Sequence, residues 1–461
     1  MLSRFFPEFR TRMRTLLTLF LTVPSVLAAQ AGRIAYEQFS LPNGLHVVYS
    51  EDHSTPIVSV DLWYAVGSRN ERPGRSGFAH LFEHMMFQGS AHVKKAEHNQ
   101  LVERAGGEFN GSTAEDRTNY WETVPSNRLN LALWLEADRM RSLAINQENF
   151  ENQRQAVKEE RRLRIDNQPY QGAFTEGLTW PFDSASCFPY AHTVIGSMAD
   201  LDSAKLPDVQ AFFETYYAPN NASLMVVGDF NPSELRTLVN QYFAGIPSHP
   251  APEAPRCEAA QARGPVRREV RDAHANLDAL LRIYRVPEHR NADTPALEIL
   301  NIILGQGESS RLNVAVVRRE KAAVATGAIL NPFGLRNGPG IWVAYGIVNQ
   351  GVSADRMDSL IAVQLDSIRS NGITAAELEK AKNALRAGFI ASRETTLGKA
   401  EELHHYRTFH NAIDEINTDL DRLLAVTSDD VKRVANTYLA PANLTVLIVR
   451  AGAAPSSGGA Q

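Results

Sequence analysis

Apolar and polar positions along the chain predict strands and helices in a mixed order. Residues 44–49 and 57–66 are short apolar runs rich in β-branched side chains, which predict two strands. The segment 78–87 is apolar on nearly every face and predicts a buried helix. A strand at 107–124 and several longer helices follow. This segregated mixture predicts an α+β fold rather than a doubly wound parallel sheet.

One helix–turn–strand pattern occurs twice. Residues 215–219, followed by the apolar run 224–227, recur as 437–441 followed by 446–449 with the same spacing. Each copy runs from a helix through a Pro-containing turn into an apolar strand, and each closes one half of the chain. The repetition predicts an internal duplication.

A Pro- and Ala-rich stretch at 247–265 separates the two halves and shows no hydrophobic period, as is typical of a linker. We therefore predict a first domain at 33–246 and a homologous second domain at 266–451. Residues 1–31 are predicted to be a signal peptide, and the Gly/Ser-rich residues 452–461 a disordered tail.

The most informative motif is His80-x-x-Glu83-His84. Histidines four positions apart lie on one face of a helix, so both imidazoles can reach one metal ion. Glu83 can face a water molecule at that metal, where a carboxylate serves as general base. Buried polar groups must be paired or coordinate something, which argues against two free histidines in this apolar segment. The motif predicts a metal-dependent hydrolase.

A catalytic zinc keeps three protein ligands and one open position, so another element must supply a further ligand. The segment 148–166 predicts a charged helix that carries Glu151, Glu159 and Glu160. Taken alone, these charges are equally typical of a solvated helix face with ion pairs four residues apart. The residues themselves leave the choice of the third ligand open.

The motif, the sequence Gly-Gly-Glu-Phe-Asn at 106–110 and the Glu-rich helix together resemble the pitrilysin/insulinase family of zinc peptidases. Among its short members the chain is similar to the mitochondrial processing peptidases. Further counterparts occur at 119–125, 135–140 and 219–222, and the resemblance extends over most of the chain. It implies that each half is an antiparallel sheet backed by helices, and that the halves face each other across a cavity.

The resemblance also implies the site residues. His80, His84 and Glu160 would bind one Zn²⁺ per chain, and Glu83 would activate the water, whereas the neighbouring Glu159 would not be a ligand. The implied function is a zinc endopeptidase that cleaves peptides or unfolded polypeptides. The alternative is a non-catalytic scaffold or chaperone-like subunit, as some relatives have become.

The segment 109–113 predicts an edge strand on which a substrate can be held through main-chain hydrogen bonds. Without the resemblance, a plain strand with a turn is an open alternative. In relatives this strand lies beside the zinc. The resemblance implies substrate contacts for four residues of this strand, namely Asn110, Gly111, Ser112 and Thr113.

The chain departs from the family pattern near the third ligand and in its second half. Many relatives carry a glutamate where this chain has Gln153. Single-chain relatives also use an Arg and a Tyr of the C-terminal half to contact peptide. Arg318 fits the first position, but Ala325 stands at the second. Two-subunit relatives divide these parts, so we predict a heterodimer with a homologous subunit, with a homodimer as the alternative.

The second copy of the repeat lacks the metal motif. Its alignment with the first copy places Leu297, Leu300 and Asn301 opposite His80, Glu83 and His84. Leucine side chains cannot ligate zinc. Only the first half is therefore expected to be catalytic, while the second shapes the cavity or binds substrate.

Composition excludes some partners. The 461 residues are 44% hydrophobic and 21% charged, which is typical of a soluble globular chain. With 47 basic and 52 acidic residues the formal charge is −5, so no nucleic-acid partner is expected.

Basic residues precede an apolar run at 16–28, the layout of a secretory signal peptide. We therefore predict a periplasmic or secreted protein, with an uncleaved membrane anchor as the alternative. No other stretch of the sequence is long and apolar enough to span a bilayer.

The remaining cysteines and histidines predict no second centre. Cys187 and Cys257 leave the question of a disulfide open, and neither lies near the motif. His404, His405 and His410 belong to a predicted helix, where a packed or solvated face is expected rather than a metal cluster.

Overall fold

The computed structural model describes residues 32–257, 265–332 and 339–452. The predicted signal peptide, all but the first residue of the predicted tail and part of the predicted linker lie outside these ranges. Within the described ranges, every helix is too short or too polar to cross a membrane.

The first half contains a six-stranded sheet. Its order is β1-β2-β6-β3-β5-β4, with β2 and β6 parallel and the other neighbours antiparallel. The central strands β3 and β6 are buried on both faces, so their sequences are mostly apolar, with Ser59, Asp61 and Ser223 as buried polar exceptions. The strands are β1 (Glu37–Ser40), β2 (His46–Glu51), β3 (Ile57–Tyr64), β4 (Glu108–Thr113), β5 (Thr118–Pro125) and β6 (Ala222–Gly228).

The single strand predicted at 107–124 is wrong in detail, because the segment is a hairpin of β4 and β5. The chain turns at 114–117, where the Ala114 N–H donates to the Arg117 carbonyl at 2.9 Å. Glu115 and Asp116 lie in this turn and separate the two strands, and Asp is a common turn residue.

The described part of the first half contains eight α-helices. The largest fully buried side chains of the motif helix are Leu81, Phe82 and Met85, and they belong to the first hydrophobic core. The helices are α1 (Phe78–Met85), α2 (Glu97–Arg104), α3 (Leu129–Ser142), α4 (Gln147–Arg161), α5 (Gln171–Thr179), α6 (Met198–Ser203), α7 (Leu206–Tyr216) and α8 (Pro232–Phe243).

The second half repeats this topology. Its sheet has the order β7-β11-β8-β10-β9, which matches β2-β6-β3-β5-β4 strand for strand, including one parallel pair at the same place. The predicted α+β class and duplication are confirmed, although the pattern did not predict the parallel pair in each sheet. The strands are β7 (Val266–Asp272), β8 (Ala279–Val286), β9 (Ala323–Leu330), β10 (Gly340–Val348) and β11 (Leu444–Ala451).

Six α-helices belong to the described part of the second half: α9 (Thr294–Gly305), α10 (Ala354–Asn371), α11 (Ala375–Ala391), α12 (Thr396–His405), α13 (Asp419–Leu424) and α14 (Ser428–Tyr438). Helix α9 occupies the place of the motif helix. Its Leu297 and Leu300 are buried in the second core, and Asn301 Oδ1 accepts a hydrogen bond from Trp342 Nε1 at 3.1 Å. This counterpart of the motif is therefore core structure.

The two halves exchange packing elements. Ala400 and Leu403 of α12 pack on Val48, Met225 and Val227 of the first sheet. In the other direction, α5 and the residues that follow it cover one face of the second sheet. Elements of each half therefore pack on the sheet of the other half across the predicted boundaries at 246 and 266. The boundaries themselves stay predictions.

A disulfide joins Cys187 to Cys257, with 4.1 Å between the Cα atoms. It resolves the pairing that the sequence left open. The bond links the segment after α5 to the residues before the second sheet, and the cysteines are 70 positions apart in sequence.

Replacing both cysteines by serine is expected to lower the free energy of unfolding by about 2–4 kcal/mol, because the bridge restricts a long loop in the unfolded chain. Guanidinium unfolding of the oxidised wild type and the double variant measures the difference. Wild type kept under reductant should resemble the variant. Equal unfolding free energies in all three samples would contradict a stabilising disulfide.

Candidate metal centre

A buried carboxylate fixes the start of the motif helix. Glu71 accepts hydrogen bonds from the backbone N–H groups of Gly77 and Ala79 at 2.9 and 2.7 Å, which satisfies donors at the N-terminus of α1. His192 lies 3.0 Å from the same carboxylate. Sequence reasoning missed Glu71, because it lies too far before the helix for a capping rule to find it.

Helices α1 and α4 bring three potential ligands together. Glu160 Oε2 lies 3.2 Å from His84 Nε2 and 3.7 Å from His80 Nε2. Ligand atoms of all three residues fall within 4.8 Å of one another. Two atoms bound to one tetrahedral zinc, each at about 2 Å, lie roughly 3.3 Å apart. The donor types and their spacing therefore fit Zn²⁺.

The neighbouring glutamate lies on another face of α4. The side chain of Glu159 is 57% exposed and pairs with Arg162 at 2.9 Å. Gln153, at the position where many relatives carry glutamate, lines the same cleft as His84. The geometry thus favours Glu160 over Glu159 as the third ligand, while the ligand role itself stays a prediction.

The electrostatics favour the protonation states that metal ligands need at His80 and Glu160, whereas at His84 the carboxylates of Glu160 and Glu83 outweigh burial and raise the pKa. Burial lowers the pKa of His80 to about 4, so this imidazole is neutral. The hydrogen bond with His84 lowers the pKa of Glu160, which keeps the carboxylate ionised. Metal ligands of these types bind in these forms.

Glu83 lies beside this triad, and Thr113 at the end of β4 donates a hydrogen bond from Oγ1 to Glu83 Oε2. Burial raises the pKa of Glu83, and the Thr113 hydrogen bond opposes the rise. The carboxylate is thereby oriented from the strand that was predicted to bind substrate. Thr113 contacts the predicted base, a role that the sequence did not indicate.

The motif lines a cleft of about 680 Å³ that also includes the four predicted substrate residues Asn110, Gly111, Ser112 and Thr113. Their strand β4 is the last in the order of the first sheet. Ser112 Oγ donates to Asn119 Oδ1 at 2.6 Å, within the hairpin. A Cβ on Gly111 would lie 3.2 Å from Phe87, so packing as well as access favours glycine there.

Arg318 does not line this cleft. Its half-exposed side chain forms an ion pair with Glu308 of the same half. The structure therefore does not bring Arg318 to the motif, and its assignment as a substrate contact stays a prediction. Ala325, at the position of the missing tyrosine, lies in β9.

Replacing Thr113 by valine is expected to lower kcat by about 10-fold or more, since a hydrogen bond to a charged group contributes roughly 1.5–3 kcal/mol. Zinc content should not change. Thr237→Val is the matched control, because that hydroxyl lies on α8 and donates to the backbone carbonyl of Ser233 in the same helix. Steady-state kinetics on a peptide would contradict the orienting role if both variants kept wild-type kcat.

His80, His84 and Glu160 converge on one point, and Glu83 lies beside them. In a duplicated α+β fold, this arrangement is typical of a class of metallopeptidases. The family model described as "Insulinase (Peptidase family M16)" matches residues 46–177. A second model, "Peptidase M16 inactive domain", matches residues 203–385. The division agrees with a motif that occurs in the first half alone.

Relatives extend the match over nearly the whole chain. Zinc protease PqqE of Helicobacter pylori is 31% identical over 437 residues, which cover 94% of this chain and 96% of the relative. The crystal structure of a protease from the same organism has a TM-score of 0.85 at 29% identity, covering 91% of this chain and all of the other. This chain belongs to the insulinase (M16) peptidase family.

A crystal structure described as a peptidase M16 inactive domain from Pseudomonas fluorescens shares the fold, with a TM-score of 0.79 at 19% identity. It covers 91% of this chain and 98% of its own length. Membership of the family thus establishes the architecture and a peptidase-type class. Activity of an individual chain depends on its own site residues.

Proposed function

We propose that this chain is a zinc-dependent endopeptidase that cleaves peptides or unfolded polypeptides. The observation that carries the proposal is the convergence of His80, His84 and Glu160 beside Glu83, in a cleft bordered by the edge strand β4. The relatives named zinc proteases support the same assignment at the level of the family.

When bound, Zn²⁺ supplies a water of lowered pKa and stabilises negative charge on the scissile carbonyl oxygen. His80, His84 and Glu160 hold the ion. Glu83 accepts the proton of the attacking water at a carboxylate oxygen and delivers it to the leaving amine. Thr113 keeps that carboxylate turned toward the cleft.

Substrate binds as a strand added to β4. Main-chain hydrogen bonds along Asn110 to Thr113 would hold an extended peptide with little regard for its sequence. A folded protein cannot offer such a segment, so the proposed substrates are unstructured.

Incubation of the zinc-loaded chain with a pool of unstructured peptides, followed by mass spectrometry, tests the function. Internal cleavage that a chelator stops supports the proposal. Intact peptides with zinc bound at the motif would favour either the scaffold alternative or a chain that needs a partner.

We further propose that a homologous subunit supplies the missing Arg/Tyr pair. The support is Ala325 at the tyrosine position, together with the ion-paired and outward placement of Arg318. A chain that is monomeric by analytical ultracentrifugation, yet fully active on peptides, would contradict this proposal, whereas a fully active homodimer would favour the homodimer alternative.

Export to the periplasm is proposed from the N-terminal pattern, and the disulfide supports it because such bonds persist in oxidising compartments. Intact-mass analysis of the exported protein tests cleavage near residue 31. A mature chain that keeps Met1 would favour the membrane-anchor alternative.

A further inference from the structure

Three histidines meet outside the peptidase site. His289 lies in the loop after β8, His405 ends α12, and His410 ends the π-helical turn that follows α12. One nitrogen of each ring lies within 4.8 Å of the other two. The sequence predicted an ordinary helix face for His405 and His410, and gave no reason to join them to His289.

The neighbouring His404 is a packed histidine of the kind expected on a buried helix face. Its Nε2 lies 2.9 Å from the Asp61 carbonyl oxygen, and its ring stacks on Trp63. Both contacts fix this imidazole against the first sheet, as a packed helix face predicts. His405 and His410 instead point to the second half of the chain.

The spacing of the three rings suits one metal ion. His289 Nε2 and His410 Nε2 are 3.1 Å apart, close to the roughly 3.3 Å expected for two nitrogens of a tetrahedral zinc. The His405 ring centroid lies 5.1 Å from that of His289 and 5.3 Å from that of His410. This arrangement gives three nitrogen donors and leaves a fourth position for water.

A carboxylate supports the cluster from outside. Glu415 Oε2 lies 2.8 Å from His410 Nδ1, which favours the tautomer with the proton on Nδ1 and the lone pair on Nε2, toward His289. Arg290 lies 3.8 Å from the other oxygen of the same carboxylate. A carboxylate behind the distal nitrogen is the usual second partner of a metal-bound histidine.

The His405 ring packs among other aromatic rings, with its centroid 5.7 Å from that of Tyr406 and 5.1 Å from that of Phe409. Within the described residues, neither nitrogen of His405 has a hydrogen-bond partner, although His410 and His289 can share one hydrogen bond. That shared bond accounts for two rings, whereas a metal ion would use all three.

We propose that His289, His405 and His410 form a second Zn²⁺ site, with Glu415 orienting His410. The site ties the loop after β8 of the second sheet to the helix α12 that covers the first sheet. It is separate from the peptidase triad and does not depend on the proposed catalytic function.

The test uses the untagged full chain with His84→Ala and Glu160→Gln, which together remove two of the three predicted ligands of the peptidase site. Equilibrium dialysis against micromolar Zn²⁺ should leave one tightly bound zinc ion, and zinc should raise the Tm by about 2 °C or more. X-ray absorption at the zinc edge should show three imidazole nitrogens.

Adding His289→Ala to this background should abolish both the binding and the Tm shift. His289 lies in a loop, so this variant is expected to fold even if His410→Ala, which removes a side chain only 3% exposed, does not. His274→Ala, an exposed histidine outside the cluster, is the matched control and should keep the ion. Absence of zinc in the chain that carries His84→Ala and Glu160→Gln, or zinc retained after His289→Ala is added, would overturn the proposal.

Discussion

Glu83→Gln is expected to reduce peptide hydrolysis by about 10³-fold or more while leaving zinc bound. Glutamine keeps the size of the side chain but cannot accept a proton, and general-base catalysis contributes roughly 10²–10⁴-fold. The zinc content should not change, because Glu83 is not among the three clustered ligand residues. The comparison of kcat and zinc stoichiometry in one preparation measures both expectations.

The control for this loss is Glu159→Gln. It removes an equivalent carboxylate from an exposed position on α4 and should leave turnover unchanged. Substantial activity in Glu83→Gln would show that another group accepts the proton. Loss of zinc in that variant would place Glu83 in the metal shell instead.

Glu160→Gln is expected to weaken zinc binding at the motif by at least about 100-fold, since even outer-shell partners of a metal contribute 10- to 100-fold. Activity should fall with occupancy and recover partly at high zinc. The adjacent Glu159→Gln is a matched control, because both changes remove one charge from the same helix. Both variants are titrated with zinc in a chain that also carries His289→Ala. This change removes the proposed second site, so the titration measures zinc binding at the motif alone.

Equal zinc affinity in these two variants would contradict the assignment of Glu160. A loss in Glu159→Gln alone would reverse it. Circular dichroism should show the same helix content in both, so that a weaker affinity is not confused with unfolding.

The sequence predicted the local part of the site and not its long-range part. His80, Glu83 and His84 were identified because helical spacing alone places them together. Glu160 followed only from the family resemblance, since no local rule connects it to the motif. Thr113 reaches Glu83 through the register of the β4–β5 hairpin, which depends on contacts between distant segments.

For the fold, too, the sequence predicted local elements and not the contacts between distant segments. The apolar strands β3 and β6 were predicted from composition, whereas the parallel pairs and the exchanged helices arise from packing between the halves. The disulfide between Cys187 and Cys257 depends on this exchange as well. His289 meets the two other histidines through a contact between distant segments of the second half, and its loop carries no sequence signal of a ligand.

A zinc titration of the metal-free chain tests the central claim most directly. One unstructured fluorogenic peptide serves as substrate, and His289→Ala confines the metal to the motif. We expect no hydrolysis without zinc, and hydrolysis that rises with occupancy of the His80, His84 and Glu160 site until one ion is bound. Cleavage that is already complete in the metal-free chain, and unchanged by Glu160→Gln, would contradict a zinc peptidase built on these residues.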